Sequence, residues 1–452
     1  MKTIFFIIAS YSRINFILRT DVFRLLKAKG YRLVIISPFS GDEKFQSEFG
    51  GSNVYFEDLP RLNRLGRFVG YLRTDALRIK HPVLESSRKI YNAITRRYRK
   101  EKTWLLQFKQ RLMTILLECI PSKIRDSRVF WERVESFFVR SRQCGKLFRK
   151  YAPDAVVMAS GGAEGNDALF IIYANRFRVP TFAIDSNFDV FEFRYFSAPR
   201  AISRWALFSE LQREEGNLFQ GIPLSHLVVT GPVRYDFYFR GFVPEPRESF
   251  LKRIGVDPGK KLITFGAKTP LLYPYNDDII RILLAAIQEN GQAELFVRFD
   301  PGHDPFLYKQ TLPYFKWESA GKIPEQEHVA NLLYHSDVVI SIGSTFSNEA
   351  CLVDTPAIWV GFDGYTTCDK TEDSYAFIYE LPLFRRILKT GGIPLARNPD
   401  ELISLVGQYL KNPALHKQER LALIEQEYFK SDGLAGSRIV AQIEAVLQNS
   451  DV

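Results

Sequence analysis

The sequence predicts an α/β protein built from two doubly wound domains, each with a parallel sheet covered by helices. Short apolar segments rich in β-branched residues alternate with helical segments in two separate blocks of the chain. Strands that are buried on both faces read as such continuous apolar runs. A proline-rich stretch over residues 242–260 separates the two blocks, as an interdomain linker does.

The first block, residues 1–241, starts with a strand, a helix and a second strand. The first apolar run is Thr3–Ala9, the helix Asp21–Lys29 ends at Gly30, and the next strand is Tyr31–Ser37. Further strands are expected at Asn53–Phe56, Asp154–Ala159, Thr181–Ile184 and His226–Thr230, and further helices over 166–177 and 202–215.

Residues 60–150 interrupt this block with a strongly basic segment that reads as two or three long helices and no strand. The whole chain of 452 residues has 61 Lys and Arg against 51 Asp and Glu, a net charge of +10. The segment alone has 24 Lys and Arg against 7 Asp and Glu, which is +17. The remaining residues therefore sum to −7, so a mildly acidic body contains a basic insert.

The second block, residues 261–433, repeats the alternation, and residues 434–452 are expected to form a C-terminal helix that crosses back to the first domain. Strands are predicted at Leu262–Gly266, Glu294–Phe299, Asp337–Ser341 and Ala357–Val360. Helices are predicted over 277–290, 325–335, 346–353, 400–411 and 437–447.

The composition favours a protein of a reducing compartment without a structural metal. The four cysteines are Cys119, Cys144, Cys351 and Cys368. They are widely spaced, form no C-x-x-C pair and do not group with histidines. The first apolar run is shorter than a signal peptide requires, and no stretch approaches the ~20 apolar residues of a spanning helix. We therefore expect a cytoplasmic protein.

The most informative segment is 336–361, SDVVISIGSTFSNEACLVDTPAIWVG. A buried strand ends at Ser341, Gly343 permits a tight turn, and Ser344 or Thr345 caps a short helix that carries Glu349. Such a turn presents backbone N–H groups to an anion, and a carboxylate one turn into the helix can accept hydrogen bonds from ribose hydroxyls. The alternative is that the hydroxyls only cap the helix and Glu349 is solvated.

This segment resembles the donor-nucleotide loop of GT-B glycosyltransferases, in the bacterial surface-polysaccharide branch that includes CDP-glycerol glycerophosphotransferase-like and UDP-N-acetylglucosamine 2-epimerase-like proteins. Three further segments are similar to motifs of that branch: VVTGPVRYD at Val228–Asp236, VRFDPGH at Val297–His303, and SDGLAGSRI at Ser431–Ile439. The resemblance implies a GT-B-like fold whose second domain binds a nucleotide-activated donor, with Gly343, Ser344, Thr345 and Glu349 in its site.

One position departs from the family pattern. The family loop supplies a histidine before proline, whereas here Asp300 takes that place and His303 follows three residues later. A carboxylate repels a diphosphate, so either His303 replaces the missing histidine or this phosphate contact is absent. Arg298 is a candidate cation for the donor phosphates, with a surface ion pair as the alternative.

Thr264–Pro270 ends the first strand of the second domain, at the edge where ligands bind in such sheets. Lys268 or Thr269 is therefore a further candidate for a phosphate contact, although an exposed loop lysine is the commoner explanation.

The acceptor side is sought at the strand ends of the first domain. An inverting transferase needs a base that takes the proton of the acceptor hydroxyl. Asp185 is the first candidate, Glu164 the second, and Asp189 is a third acid at these strand ends. Each is also an ordinary loop or helix-capping residue. No Asp-x-Asp-like cluster appears, so no metal and no cofactor is expected.

The basic insert favours an anionic partner. Segments such as RRYRKEKTWLL at Arg96–Leu106 mix cations with aromatic residues. Basic helices of this kind can lie on an anionic membrane surface or follow a phosphate backbone, or their charges can simply be solvated. The chain has no recognised nucleic-acid motif, so we expect a membrane surface and no nucleic acid.

Together these features predict a metal-independent glycosyltransferase of bacterial surface polysaccharide biosynthesis, such as that of a capsule or lipopolysaccharide. It would transfer a sugar from a nucleotide-activated donor to a glycan or lipid-linked acceptor, as a peripheral protein at the inner face of the cytoplasmic membrane. Alternatives of the same fold are a CDP-alditol phosphotransferase and a nucleotide-sugar epimerase. An alternative of another class is a non-catalytic glycan- or nucleotide-binding protein. The sequence does not specify the oligomeric state.

Overall fold

The computed structural model describes residues 1–79, 112, 115–159, 161, 165–185, 187, 191, 196–270, 272–300, 303–319, 326–367 and 374–449. These residues form two compact units. Unit 1 contains the described residues of Met1–Arg88, Lys102–Arg240 and Glu427–Val452, and unit 2 those of Gly241–Gln426. Each unit has one sheet in which every strand pair is parallel, so the predicted α/β class with two doubly wound domains is confirmed.

The sheet of unit 1 has seven strands in the order β3-β2-β1-β4-β5-β6-β7. Successive strands are added on one side of β1 up to β3 and on the other side from β4 onward, so the strand order reverses between β1 and β4. The strands are β1 (Thr3–Ile7), β2 (Arg32–Ser37), β3 (Val54–Asp58), β4 (Ala155–Ala159), β5 (Thr181–Ile184), β6 (Arg204–Leu207) and β7 (Leu227–Val229). Every residue of β1 and β4 is buried, which is the reason their sequences are continuously apolar.

The helices of unit 1 flank this sheet and build the basic insert. They are α1 (Tyr11–Arg13), α2 (Asp21–Ala28), α3 (Glu43–Phe49), α4 (Arg64–Ile79), α5 (Ser122–Arg125), α6 (Arg128–Phe138), α7 (Arg142–Tyr151), α8 (Gly165–Phe177), α9 (Glu210–Gln220), α10 (Asp236–Phe239) and α18 (Ala435–Asn449). A π-helical turn, Ile14–Leu18, follows α1, and single 3₁₀ turns occupy Pro199–Ala201, Leu224–His226 and Val233–Tyr235.

The helix predicted over 202–215 begins later in the structure, so the predicted start was wrong. Residues Arg204–Leu207 form strand β6, which pairs in parallel with β5 and β7. Trp205 is fully buried in the core of the unit, so this short segment belongs to the sheet interior. The helix begins only after Ser209, whose hydroxyl accepts a hydrogen bond from the Gln212 N–H at 3.4 Å.

The described part of the insert 60–150 is helical and contains a small core of its own. Four residues are buried together: Ala76 and Leu77 of α4, Trp131 of α6, and Leu117 between these helices in the sequence. A buried ion pair joins α4 to α6, with 3.2 Å between Arg73 and Glu135. At least one face of these basic helices therefore packs inside the insert, and no strand occurs among its described residues.

The sheet of unit 2 has six strands in the order β10-β9-β8-β11-β12-β13, which reverses direction between β8 and β11. The strands are β8 (Lys261–Ala267), β9 (Ala293–Phe299), β10 (Lys316–Ser319), β11 (Val338–Ser341), β12 (Ala357–Val360) and β13 (Leu395–Ala396). The helices are α11 (Arg247–Arg253), α12 (Asn276–Asn290), α13 (Gln326–His335), α14 (Thr345–Leu352), α15 (Pro382–Thr390), α16 (Pro399–Lys411) and α17 (Lys417–Glu427), with 3₁₀ turns at Pro305–Tyr308, Leu312–Tyr314 and Tyr375–Glu380.

The proline-rich stretch 242–260 is not extended throughout, because it contains helix α11. The Glu245 N–H donates to the Asn331 side chain at 2.7 Å, and Arg247 pairs with Asp337 at 2.8 Å. The stretch is thus fixed to unit 2 by charged and amide contacts.

Among the described residues, no helix combines the length and the apolar character that crossing a membrane requires.

Two of the family-like motifs meet in unit 1. The Asp236 carboxylate accepts hydrogen bonds from the Ala435 and Gly436 N–H groups, at 3.1 and 2.7 Å, and so caps the N-terminus of α18. Arg438 donates to the Thr230 carbonyl at 2.7 Å. The motif ending at Asp236 and the motif around Arg438 therefore form one structural cluster that ties the C-terminal helix to the body of unit 1.

We predict that Asp236→Asn lowers the free energy of unfolding by about 1–2 kcal/mol, because an amide offers one acceptor oxygen where the carboxylate offers two. Chemical denaturation monitored by circular dichroism measures this change. The matched control is Asp400→Asn, which alters an exposed carboxylate in the first turn of α16 and should change stability by less than about 0.5 kcal/mol. Equal effects of both variants would contradict the capping role.

Candidate functional site

The candidate site lies at the carboxyl edge of the sheet in unit 2. In a doubly wound sheet the loops that follow two strands diverge where the strand order reverses, and ligands bind in the space between them. Here that point lies between β8 and β11, whose Gly266 and Ser341 are paired in register. The loop after β8 begins with Lys268, and the loop after β11 contains Gly343.

The loop after β11 turns sharply at Gly343. Its φ is +52°, in the left-handed region that favours glycine. A Cβ atom there would lie 2.7 Å from the Cδ1 atom of Ile378 and 3.0 Å from the ring of Phe384, so an added side chain would also require these neighbours to shift. The turn allows α14 to start two residues later, and the first N–H groups of a helix have no partner within that helix.

Ser344 is the N-cap of α14, as the sequence predicts. Its backbone is extended, and its hydroxyl accepts a hydrogen bond from the Phe346 N–H at 3.3 Å. Thr345 is the first residue of the helix, and both side chains are partly exposed. Hydroxyls and N–H groups with a helix dipole behind them can bind a phosphate group.

Lys268 links the two loops. Its ammonium group donates to the Ile342 carbonyl at 3.1 Å and to the Gly343 carbonyl at 3.4 Å. It also lies 5.5 Å from the centre of the Tyr375 ring. Lys268 therefore fixes the Gly343 turn and places a positive charge close to the N-terminus of α14.

Glu349 and Arg298 lie under this edge rather than on its surface. Glu349 is buried on α14, and the Arg298 guanidinium forms an ion pair with Glu318, its direct neighbour on β10. Burial lowers the pKa of Arg298, and the nearby Glu349 and Asp300 carboxylates offset part of that effect. The alternative considered for Arg298, an ion pair at a strand end, is thus present, although the pair is largely buried.

Asp300 and Thr269 are joined across neighbouring strands. The Asp300 carboxylate accepts a hydrogen bond from the Thr269 N–H at 3.1 Å. The backbone donor of Thr269 is therefore engaged by protein, and Asp300 holds the loop after β8 in place.

His303 points into the protein. Its Nε2 lies 2.6 Å from the Tyr308 hydroxyl, and its ring packs edge-on against Phe299 at 4.8 Å between ring centres. Only 6% of the residue is exposed, and burial lowers the pKa of its imidazole. The buried ring is therefore favoured in its neutral form, which is a different environment from a phosphate-binding cation at the surface.

The acceptor-side candidates lie at the carboxyl edge of unit 1 or outside the described residues. Asp185 follows β5 directly, is 2% exposed, and its N–H donates to the Ala206 carbonyl at 2.9 Å. Glu164 and Asp189 lie outside the described residues. The structure therefore fixes the position of Asp185 alone, as a buried carboxylate at a strand end.

A pair that the sequence interpretation missed lies where the strand order of unit 1 reverses. Arg13, which follows β1, and Asp167, in the first turn of the helix after β4, form an ion pair of 2.7 Å. Arg13 is 2% exposed and Asp167 is fully buried. Arg13 precedes the π-helical turn Ile14–Leu18, a conformation often found at functional sites. The sequence signal that could have identified this pair is Arg13, a charged residue that follows soon after a buried strand.

Within the described residues, no three His, Cys, Asp or Glu side chains come together as a metal site.

Comparison with known proteins identifies the fold. No family model and no curated protein sequence matches the chain. A UDP-GlcNAc 2-epimerase from Methanocaldococcus jannaschii is similar over 98% of this chain and 100% of its own, with a TM-score of 0.54 and 13% identity. The values are the same for the UDP-GlcNAc 2-epimerase from Neisseria meningitidis bound to UDP-GlcNAc. A glycosyltransferase from Rickettsia africae is similar over 99% of both chains, with a TM-score of 0.52 and 11% identity. The predicted GT-B-like fold is confirmed.

We predict that Gly343→Ala lowers the free energy of unfolding by about 2–4 kcal/mol, because alanine combines a strained left-handed backbone with a steric overlap. Thermal and chemical unfolding measure the loss. The control is Gly407→Ala in α16, where nothing lies within 4 Å of a new Cβ and alanine should stabilise the helix by up to ~1 kcal/mol. A Gly343→Ala variant as stable as the parent would show that the turn tolerates a side chain.

The parent protein is expected to lose the stabilising contribution of neutral His303 as the pH falls. Because burial lowers the folded-state pKa of His303, the unfolded chain binds more protons below pH ~6.5 and is favoured there. His303→Phe removes this effect, so the melting temperature of the parent should fall relative to that of the variant from pH 7.5 towards pH 5. A difference that stays constant over this range would contradict the burial argument.

Proposed function

We propose that the protein is a metal-independent glycosyltransferase that takes a sugar from a nucleotide-activated donor. The observation that carries the proposal is the arrangement in unit 2 of the Gly343 turn, the N-terminus of α14 and the Lys268 ammonium group at the reversal of strand order. Each of these features favours a bound diphosphate, and together they provide backbone donors, hydroxyls and a cation within one loop cluster.

In this proposal Ser344 and Thr345 bind the diphosphate of the donor, and Gly343 allows the close approach of the backbone. Lys268 stabilises the negative charge that develops as the diphosphate leaves. Glu349 accepts hydrogen bonds from the ribose hydroxyls, and Arg298 stabilises the negative charge of Glu349. His303 supports the fold of its loop rather than a phosphate contact, since its ring is buried against Phe299.

Unit 1 would bind the acceptor, a glycan or lipid-linked molecule of bacterial surface polysaccharide biosynthesis. Asp185, and Glu164 in the neighbouring loop, remain our candidates for the base that takes the proton of the acceptor hydroxyl. The basic insert, residues 60–150, would face an anionic membrane surface, which places the protein at the cytoplasmic face of the membrane.

Nucleotide-sugar epimerisation is the second candidate, because solved structures similar to this chain over nearly its whole length include UDP-GlcNAc 2-epimerases. The two activities differ in their need for an acceptor. An epimerase changes the configuration of the donor sugar when no acceptor is present, whereas a transferase consumes the donor rapidly only with its acceptor. Proton NMR of UDP-GlcNAc incubated with the protein alone separates these outcomes.

We predict that one nucleotide diphosphate among UDP, GDP and CDP raises the melting temperature, since ligand at 100 times its Kd adds about 2.7 kcal/mol of stability. Lys268→Met should weaken that binding by about 10- to 100-fold, because it removes a charge-assisted contact and releases the Ile342 and Gly343 carbonyls. Calorimetric titration measures Kd. Hydrolysis of UDP-, GDP-, CDP- and CMP-activated sugars then identifies the donor.

The matched control is Lys309→Met, which removes an exposed lysine elsewhere in unit 2 and should leave Kd unchanged. Nucleotide binding that is absent in the parent, or equal in both variants, would contradict the assigned donor site.

A further inference from the structure

The outward face of α4 is apolar where a surface helix is normally polar. Leu65, Phe68 and Tyr71, at helical spacing, are 49%, 43% and 65% exposed. The opposite face of the same helix packs inside the insert, where Ala76 and Leu77 are buried. Because the inward face already supplies the apolar contacts that folding needs, the outward residues need another explanation.

Residues 112 and 115–117 of the insert show a similar pattern. Leu112, Ile115 and Leu116 are 46%, 56% and 54% exposed. Leu117, next in sequence, is buried in the same small core as Ala76 and Leu77. Two segments that share one core thus each leave large apolar side chains in solvent.

Cations accompany the apolar residues on α4. Arg64 and Arg67 are exposed on the same two turns as Leu65 and Phe68, and neither pairs with a carboxylate among the described residues. The insert as a whole carries a net charge of +17. The partner of this face must therefore accept both apolar side chains and positive charge.

We propose that this apolar and cationic face of α4, formed by Arg64, Leu65, Arg67, Phe68 and Tyr71, inserts into an anionic lipid bilayer together with the exposed Leu112, Ile115 and Leu116 of the insert. An interfacial helix buries apolar side chains at the boundary of the headgroups and acyl chains while its arginines contact anionic headgroups. This inference deepens the membrane contact of the proposed function: the protein is held by side-chain insertion as well as by charge.

Two other partners fit the face less well. A nucleic acid would use the arginines but offers little to aliphatic side chains such as Leu65 and Ile115. A second copy of the chain would cover the apolar residues but would bring two strongly basic surfaces together, and like charges repel.

Vesicle flotation tests the inference, with vesicles of phosphatidylcholine and phosphatidylglycerol compared with phosphatidylcholine alone. The parent should bind the anionic vesicles, and part of this binding should survive about 0.5 M salt, which screens charges beyond a few ångströms. The variant Leu65→Ser/Phe68→Ser/Tyr71→Ser keeps the charge of the face. It should bind about tenfold more weakly at low salt and lose the salt-resistant fraction.

The matched control is Phe306→Ser/Leu307→Ser, which removes two exposed apolar side chains of unit 2 that are 58% and 64% exposed. It should bind as the parent does, and the melting temperature shows that each variant is folded. Complete release of the parent by salt, or equal binding of the two serine variants, would overturn the insertion. The insertion would also be overturned if the triple variant kept its vesicle binding and instead lost binding to single-stranded DNA or lost self-association.

Nucleotide binding by the same variants separates this inference from the proposed function. The triple variant should bind nucleotide as the parent does. If no nucleotide binds the parent and vesicle binding remains as predicted, the proposed donor site fails and the membrane face stands. If nucleotide binds and the vesicles do not, only the membrane face fails.

Discussion

The turn at Gly343 is the constraint on which the candidate donor site depends. Its left-handed backbone, which glycine adopts without strain, lets the chain pass from β11 to α14 within three residues, and the close approach of Ile378 disfavours a side chain at this position. That short passage places the helix N-terminus at the carboxyl edge of the sheet. The Lys268 ammonium group then binds the two carbonyls of the turn, which would otherwise present negative charge near the same place. Backbone geometry, packing and charge thus favour an anion at one point.

At the corresponding point of the sheet in unit 1, where the strand order reverses, the arrangement of charges is different. The Arg13–Asp167 pair is buried where the strand order reverses, and the cost of removing two charges from water is offset only by close pairing and further hydrogen bonds. The Asp167 carboxylate offsets the positive charge of Arg13 at this point. The described cation at the reversal point of unit 1 is therefore paired with a carboxylate, whereas the reversal point of unit 2 combines a lysine with a helix N-terminus. In the proposed function this difference assigns the anionic donor to unit 2.

The sequence predicts best those features that depend on neighbouring residues. Continuous apolar runs identify the central strands, and the order Gly343, Ser344, Thr345 after a buried strand identifies the turn and the N-cap. Strand β6 was missed because its four residues run directly into an amphipathic helix, and β13, with two residues, is too short to leave a pattern.

Contacts between distant positions could not be predicted in this way. Lys268 and Gly343 are 75 residues apart, and only the fold shows that the ammonium group reaches the turn. The burial of His303 depends on neighbours only four and five residues away, Phe299 and Tyr308, but the way their rings pack around it is a matter of tertiary structure.

Asp300 shows how such a contact changes the meaning of a residue. By charge alone, a carboxylate in place of the family's histidine argues against a phosphate nearby. In the fold that carboxylate accepts the Thr269 N–H, and the Arg298 guanidinium lies close enough for its pKa to respond to it. Its negative charge is therefore partly compensated, and its effect is to hold the loop that begins with Lys268. In the proposed function the loop after β9 thus acts indirectly, by positioning the lysine, and direct contact with phosphate is assigned to Lys268 and the N-terminus of α14.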